Sequence, residues 1–280
     1  MSRNATEEYV LGNSTHEQER LKMQAKFLQQ WSEQFFLSAG LEPGMRVLDL
    51  GCGMGDVSLL VAKLVGPSGR VTGIDRDGVV IEKARERIRE EGSDTQIEFL
   101  HKELFSFQAD RKFDAVVGRY VLLYQPDPVA AIRHAAKQVC PGGIIVFHEM
   151  DMENRIRSYP DRTLFSEIYG LIAETFRRSG HWTDLGLQLT RLFLDAGLPW
   201  PTIKAEVPVG GEPGSFTYHW LTETLRSVLP RIEEYGLNSA DNLQIDTLVT
   251  RMEAEARIRQ TQLIGPLQFG AWAKNRIRQG

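Results

Sequence analysis

From Met45 to Met150 the chain alternates between short apolar runs and amphipathic stretches, and no other feature restricts the fold as strongly. MRVLDL (45–50) is an apolar run carrying Asp49 near its end. A glycine loop, Gly51 to Gly55, follows it, and then an apolar helix from about Asp56 to Val65. Gly66-Pro67-Ser68-Gly69 turns into RVTGID (70–75), and a charged amphipathic helix runs from Val80 to Glu91 and stops at Gly92. IEFL (97–100) and FDAVVG (113–118) read as the next strands. Asp127-Pro128, an N-cap with proline at the first helical position, opens a helix to Cys140. Pro141-Gly142-Gly143 then reads as a turn into IIVFHEM (144–150). Such alternation predicts an α/β fold: a mostly parallel sheet with helices on both faces. Ala115-Val116-Val117 and Ile144-Ile145-Val146-Phe147 are apolar without alternation, as strands buried on both faces must be.

The flanks add helices. Ser14 followed by Glu17 reads as a capping box, and Leu21, Phe27, Leu28, Trp31, Phe35 and Phe36 recur at helical spacing until Gly40 and Pro43-Gly44. Beyond Met150, Leu164–Arg178, Gly186–Ala196, Phe216–Leu229 and Ile245–Arg259 read as helices and IKAEVPV (203–209) as a strand. LIGPLQFGAW (263–272) reads as a last strand, with Pro266 arguing against a central position. No flexible linker interrupts the chain. The expected organisation is an N-terminal helical cover over residues 1–40, a core over 41–150, and residues 151–280 completing the sheet and roofing the site.

Composition narrows the function. With 42% hydrophobic and 25% charged residues the chain is an ordinary globular one. A net charge of −4 gives no general attraction to phosphate backbones, so no nucleic-acid partner is expected. Two cysteines, Cys52 and Cys140, make no disulfide framework and no CxxC zinc pair. The polar start lacks the apolar stretch of a signal peptide, and no run approaches the roughly 20 apolar residues of a membrane span. A cytoplasmic enzyme without metal is the expectation, with a homodimer left open.

Asp49-Leu50-Gly51-Cys52-Gly53-Met54-Gly55-Asp56 carries the chemistry. Glycines between a strand and a helix let the backbone turn sharply and approach a ligand. The helix start offers free N–H groups. Asp75 ends the next strand, about 20 residues on, where an acid accepts hydrogen bonds from ribose hydroxyls. A dinucleotide fingerprint needs a third glycine where this chain has Asp56, so the pattern is GxGxG preceded by Asp49. That acid would repel a pyrophosphate and suits a cationic amino or sulfonium group.

VLDLGCGMGDVSLLVA, VTGID and FDAVVGRYVLLYQPDPVAAIRHAAKQVCPGGIIVF together resemble the class I S-adenosylmethionine (SAM)-dependent methyltransferases. Within them the chain is most similar to bacterial small-molecule enzymes of the ubiquinone/menaquinone-biosynthesis type. The resemblance is specific over residues 45–150. It implies a Rossmann-like seven-stranded sheet, SAM as cofactor, and methyl transfer to an O, N or C atom of a small-molecule acceptor. It also implies roles. Asp49, Gly51, Cys52, Gly53 and Gly55 line the methionine end of SAM. Asp75 binds the ribose, Arg76 flanks the adenine, and Glu103 with Leu104 meets the adenine amino group. Glu103 stands where aspartate is commoner. Arg119 lies where the family's backbone meets the methionine part. In related enzymes an N-terminal segment folds over SAM, which brings in Tyr9, Arg20 and Gln24; the plain alternative for Arg20 is a solvated helix face.

Methyl transfer from a sulfonium is an in-line displacement of an activated group, so alignment and desolvation can supply most of the acceleration. A base matters when the acceptor must lose a proton. His148 is the candidate, with Glu149 and Asp151 beside it, and helix capping or loop polarity is the bland alternative for each. Trp182, Phe216, Trp220 and Phe269 are candidates for an acceptor pocket or for core. Two other readings stay open: a nicotinamide-dependent oxidoreductase, and a SAM-fold protein that binds without transferring.

Overall fold

The computed structural model describes residues 15–92, 96–153 and 157–276, with side chains from Met23 onward. Helix α1 (Thr15–Ala39) leads into β1 (Arg46–Leu50). Then follow α2 (Asp56–Val65), β2 (Arg70–Asp75), α3 (Gly78–Glu90), β3 (Ile97–His101), β4 (Phe113–Arg119), α4 (Pro128–Gln138) and β5 (Val139–Asp151). The remainder supplies β6 (Ser158–Tyr159), α5 (Leu164–Arg178), α6 (Leu185–Asp195), β7 (Thr202–Glu206) and β8 (Val209–Gly210). It ends with α7 (Phe216–Glu234), α8 (Ala240–Leu243), α9 (Ile245–Arg259), β9 (Gln262–Ile264) and β10 (Leu267–Lys274). Among the described residues no helix is long and apolar enough to cross a membrane.

Seven strands form one sheet in the order β3-β2-β1-β4-β5-β10-β7. β1 pairs in parallel with β2 and β4, β2 with β3, and β4 with β5. The chain winds outward from β1 to β3 and then returns to β4, so the switch point lies between β1 and β4. In open sheets of this kind ligands sit outside the carboxyl ends of the strands at that point. Alternate strand residues face two buried layers. Val47, Val71, Ala115, Val117, Ile144 and Val146 join Phe36 of α1, Leu60 of α2 and Ile81 of α3 in one cluster. On strand β5, Phe147 points the other way and meets Phe193 of α6 edge-on at 6.3 Å. The expected mostly parallel sheet with helices on both faces is what forms.

Two compact units divide the chain. The sheet unit holds Ala25–Glu149, Leu185–Ala205 and the stretch from Gln268. The second holds the chain up to Gln24, Met150–Asp184 and Glu206–Leu267. In the second, β6, β9 and β8 make a small antiparallel sheet, and α5, α7 and α9 pack around Phe165, Tyr169, Phe176, Tyr218 and Leu248. Thr163 caps α5 through Ser166 N, and Glu255 Oε2 on α9 accepts from Leu164 N at 2.8 Å. Both bonds satisfy donors that a helix start leaves without partners.

Some expectations need correction. IKAEVPV is two strands in two sheets, because Pro208 lacks the N–H that would continue a ladder. LIGPLQFGAW is likewise split, into β9 and β10, with Gly265-Pro266 at the break. Pro266 precedes β10 instead of lying within it, so β10 occupies an interior place between β5 and β7. Pro141-Gly142-Gly143 is an irregularity inside β5. The register there jumps from Phe113↔Val139 to Ala115↔Ile144, and Gly142 has φ +84°. Helix α7 runs on to Glu234 through Pro230.

Candidate functional site

The glycine loop follows β1 and is set by backbone geometry. Gly51, Gly53 and Gly55 have φ of 60°, 53° and 84°, a region that side-chain-bearing residues avoid. Cys52 N donates to Ile74 O on β2 at 3.0 Å, and Gly55 N to Cys52 O at 2.9 Å. A Cβ placed on Gly53 would meet nothing within 4 Å among the described residues, so with respect to them the loop's backbone borders open space. Helix α2 starts from Gly55 without a side-chain cap.

Two carboxylates brace this loop. Asp75, at the end of β2, accepts from Gly53 N through Oδ2 and from Asp77 N through Oδ1, both at 3.0 Å. Asp49 is buried, and its Oδ2 accepts from Ser58 Oγ of α2 at 2.6 Å. Among the described residues its Oδ1 is buried with no hydrogen-bond partner. Burial pushes Asp49 up to about 7, aided by the charges of Asp75 and Asp56 and opposed by the Ser58 bond and the Arg119 charge. A buried carboxylate oxygen without a donor is costly unless a cation or donor meets it. Burial, with Asp49 and Asp75 nearby, also pushes the Cys52 thiol well above its ordinary value, so it stays an inert thiol.

The neighbouring strand ends complete the edge. Asp75 stands beside His101 in register, and Lys102 N donates to Asp75 O at 2.9 Å. Arg76 and Glu103 are exposed and Leu104 is half-buried at the same edge. Glu103 opens a single 3₁₀ turn, Leu104–Ser106, whose Ser106 N bonds to the Glu103 carbonyl. Arg119 ends β4, and burial lowers its pKa against the charges of Asp56, Tyr120 and Asp49. Asp49, Gly51, Cys52, Gly53, Gly55, Asp75, Arg76, Glu103, Leu104 and Arg119 therefore all stand at the carboxyl edge of β1–β4 in the sheet unit. Tyr9 lies outside the described residues, as does the Arg20 side chain. Gln24 belongs to the second unit, where its Oε1 accepts from Trp220 Nε1 at 3.3 Å.

His148 does not fit the role of a base. It is fully buried on β5, Nδ1 lies 2.9 Å from Ser32 Oγ, and Nε2 lies 3.0 Å from Gln268 Oε1. Burial and the Arg119 charge push its pKa down to about 3. Glu149, also buried, accepts from Val121 N at 2.9 Å and Leu122 N at 2.8 Å through Oε1, which pins the turn after β4. Asp151 Oδ1 accepts from Glu153 N at 3.0 Å, and Phe269 is buried on β10.

Further residues support this edge. Asp56, which breaks the dinucleotide pattern, pairs with Arg87 of α3 at 2.7 Å, and Arg87 also donates to Met54 O at 3.3 Å. Ser32, Arg87, Glu149 as a backbone clamp, and Gln268 have no motif or periodicity that marks them.

Comparisons with known proteins bear on the family and the fold. Residues 41–181 match the family described as "Methyltransferase domain". An uncharacterised 37.1 kDa protein of a Streptomyces fradiae transposon is 35% identical over 161 residues, 58% of this chain and 45% of that protein. A demethylmenaquinone methyltransferase of Staphylococcus aureus is 28% identical over 165 residues, 58% of this chain and 64% of that protein. The matched regions thus span less than two thirds of these relatives. In fold, the YcgJ protein of Bacillus subtilis superposes with a TM-score of 0.56 at 16% identity, over 90% of this chain and 100% of that one.

Proposed function

We propose, from the premise that this chain belongs to the methyltransferase-domain family of class I SAM-dependent type, that it transfers a methyl group from SAM to an O, N or C atom of a small organic acceptor. The observation that carries the reading is the Asp49 carboxylate: buried and, among the described residues, without a partner on Oδ1 and next to a loop whose glycine backbone faces open space. A ligand that is cationic and rich in hydroxyls suits that edge, and a pyrophosphate does not. When bound, SAM supplies a methyl group already activated on a sulfonium.

Each residue's part follows from its setting. Asp49 offers negative charge in a water-poor position, and a bound cation would draw its pKa down from about 7. Asp75, held by two backbone donors, turns its remaining lone pairs to the ribose hydroxyls. Arg76, Glu103 and Leu104 border the adenine. Arg119 stands at the methionine end. Alignment and exclusion of water carry most of the rate, and an acceptor hydroxyl would also need somewhere to lose its proton. A net charge of −4 supports a small acceptor over a polyanion, and the S. aureus relative supports one of quinone type.

Calorimetric titration with SAM, S-adenosylhomocysteine and NAD tests the cofactor. Binding of the first two and not NAD is expected, and the reverse ends the reading. Conversion of SAM to S-adenosylhomocysteine is then followed over small hydroxylated aromatics, quinols and amines. Efficient methylation of tRNA or protein, with none of these accepted, would overturn the acceptor class. Binding with no turnover on any acceptor would favour a ligand-binding protein.

A further inference from the structure

Two side chains at the end of β4, Arg119 and Tyr120, are tied to one buried imidazole. His148 is the β5 register partner of Arg119. Gln268 Oε1 can only accept, so the 3.0 Å contact places the proton on His148 Nε2. The same oxygen accepts the Tyr120 hydroxyl at 2.6 Å. Nδ1 is then a bare lone pair, and the Ser32 hydroxyl at 2.9 Å donates to it. Leu28 O lies farther from that hydroxyl, at 3.2 Å, and one proton serves the shorter bond. Ser32 Oγ in turn faces Arg119 Nη1 at 3.4 Å. With a neutral imidazole every donor along this chain finds an acceptor, and burial together with the Arg119 charge opposes a second ring proton.

The backbone is held by the same residue. Tyr120 has φ +56°, which a non-glycine residue keeps only where its surroundings fix it. Its N–H donates to His148 O at 2.9 Å. Phe35 and Tyr120 stand edge-on to the ring at 5.0 and 5.6 Å. Val121, the next residue, lies 3.0 Å from where a Cβ on Gly51 would be, so the turn after β4 abuts the glycine loop.

We infer that His148 is a positioning residue: as a neutral ring it fixes Tyr120 through Gln268, and Arg119 through Ser32, at the β4 edge of the SAM site. The inference rests on that edge being the cofactor site. It differs from catalysis by His148, which would need a lone pair exposed to the acceptor, and from space-filling, which would need no hydrogen bonds.

Titration with S-adenosylhomocysteine, which needs no acceptor, compares wild type with His148→Leu, His148→Gln and Gln268→Leu. Leucine at either place should weaken binding about 10-fold, the scale of a lost buried hydrogen bond, while glutamine at 148 keeps an N–H for Gln268 and should stay within about 3-fold. Adding Tyr120→Phe to Gln268→Leu should cost less than the sum of the two single changes, because they share one bond. Nitrogen-15 NMR should show His148 as the Nε2–H tautomer, without titration from about pH 5 to 8. Unchanged affinity in a folded His148→Leu overturns the inference. So does a His148→Gln as weak as His148→Leu, or an imidazole that titrates in that range. Should His148→Leu fail to fold, Gln268→Leu decides. If wild type binds no S-adenosylhomocysteine, the cofactor reading falls with the site-directed half of this inference. The tautomer and the exchange protection of the Tyr120 hydroxyl then decide the network on their own.

Discussion

The β1–β2 half of the site edge and the β4–β5 half are built on opposite plans. The first is a local structure: glycines at positive φ, a helix start, and Asp75 bonded to Gly53 only 22 positions back. The second is held by side chains brought from far away in sequence, with Ser32 from α1 and Gln268 from β10 meeting on His148. A loop fixed by backbone bonds tolerates changes around it and fails when its own residues change. A turn fixed by a buried network fails when remote residues change.

Asp75→Ala should break the first half most severely. The residue braces the loop and is proposed to hold the ribose, and charge-assisted bonds contribute roughly 1.5–3 kcal/mol each. S-adenosylhomocysteine affinity should fall about 100-fold with the fold retained, read by calorimetry beside circular dichroism. Affinity equal to wild type would remove Asp75 from the site. Gly55→Ala should act on stability. Its Cβ would stand 2.5 Å from Phe99 Cζ at a φ of +84°, at a cost of about 2–4 kcal/mol in urea unfolding. Adding Phe99→Leu should recover the steric part and leave the backbone part.

The second half should announce itself through pH. Burial raises Glu149 to about 8 against the N–H groups of Leu122 and Val121. Between the ordinary carboxylate range and pH 8 the folded state keeps a proton that the unfolded chain has released. Stability therefore falls as pH rises through that window, by up to ~1.4 kcal/mol per unit. Asp49, raised to about 7, adds to the same fall. His148 acts on the other side. Below its ordinary value of 6.5 and down to about 3, the unfolded chain binds a proton that the folded state excludes, so stability drops as pH drops. Glu149→Gln should flatten part of the alkaline slope and His148→Gln the acid slope, in urea titrations at stepped pH. Slopes unmoved by either change would argue against this burial. The smallest effect belongs to Arg87→Ala. Its pair with Asp56 is partly solvated, so a loss of about 1 kcal/mol, reduced by salt, is expected. A binding loss as large as that of Asp75→Ala would mean the glycine loop does not stand by itself.

The same contrast explains what the sequence disclosed. Gly51, Gly53, Gly55, Asp49 and Asp75 were legible because their spacing is dictated by one strand–turn–helix unit and the strand after it. The core strands and helices to Met150 were legible through their periodicity. The His148 network was not, since Ser32 and Gln268 sit among ordinary helix and strand residues and acquire meaning only when three elements meet. Residue type alone points elsewhere there: a histidine at a strand end suggests a base, while its burial and its two hydrogen bonds support the positioning role inferred for it. Beyond Met150, Pro208 and Pro266 were read as features within strands, whereas each stands where the chain leaves one sheet for another.

The place of β10 has a consequence during synthesis. It lies between β5 and β7, yet it follows β5 by more than a hundred residues. At ordinary translation speeds the outer side of β5 waits on the order of ten seconds for its partner. For that time the nascent sheet presents an open, apolar strand edge, the kind that pairs with other chains. Chaperone demand and misassembly should therefore depend on how fast the ribosome crosses the codons between Asp151 and Leu267.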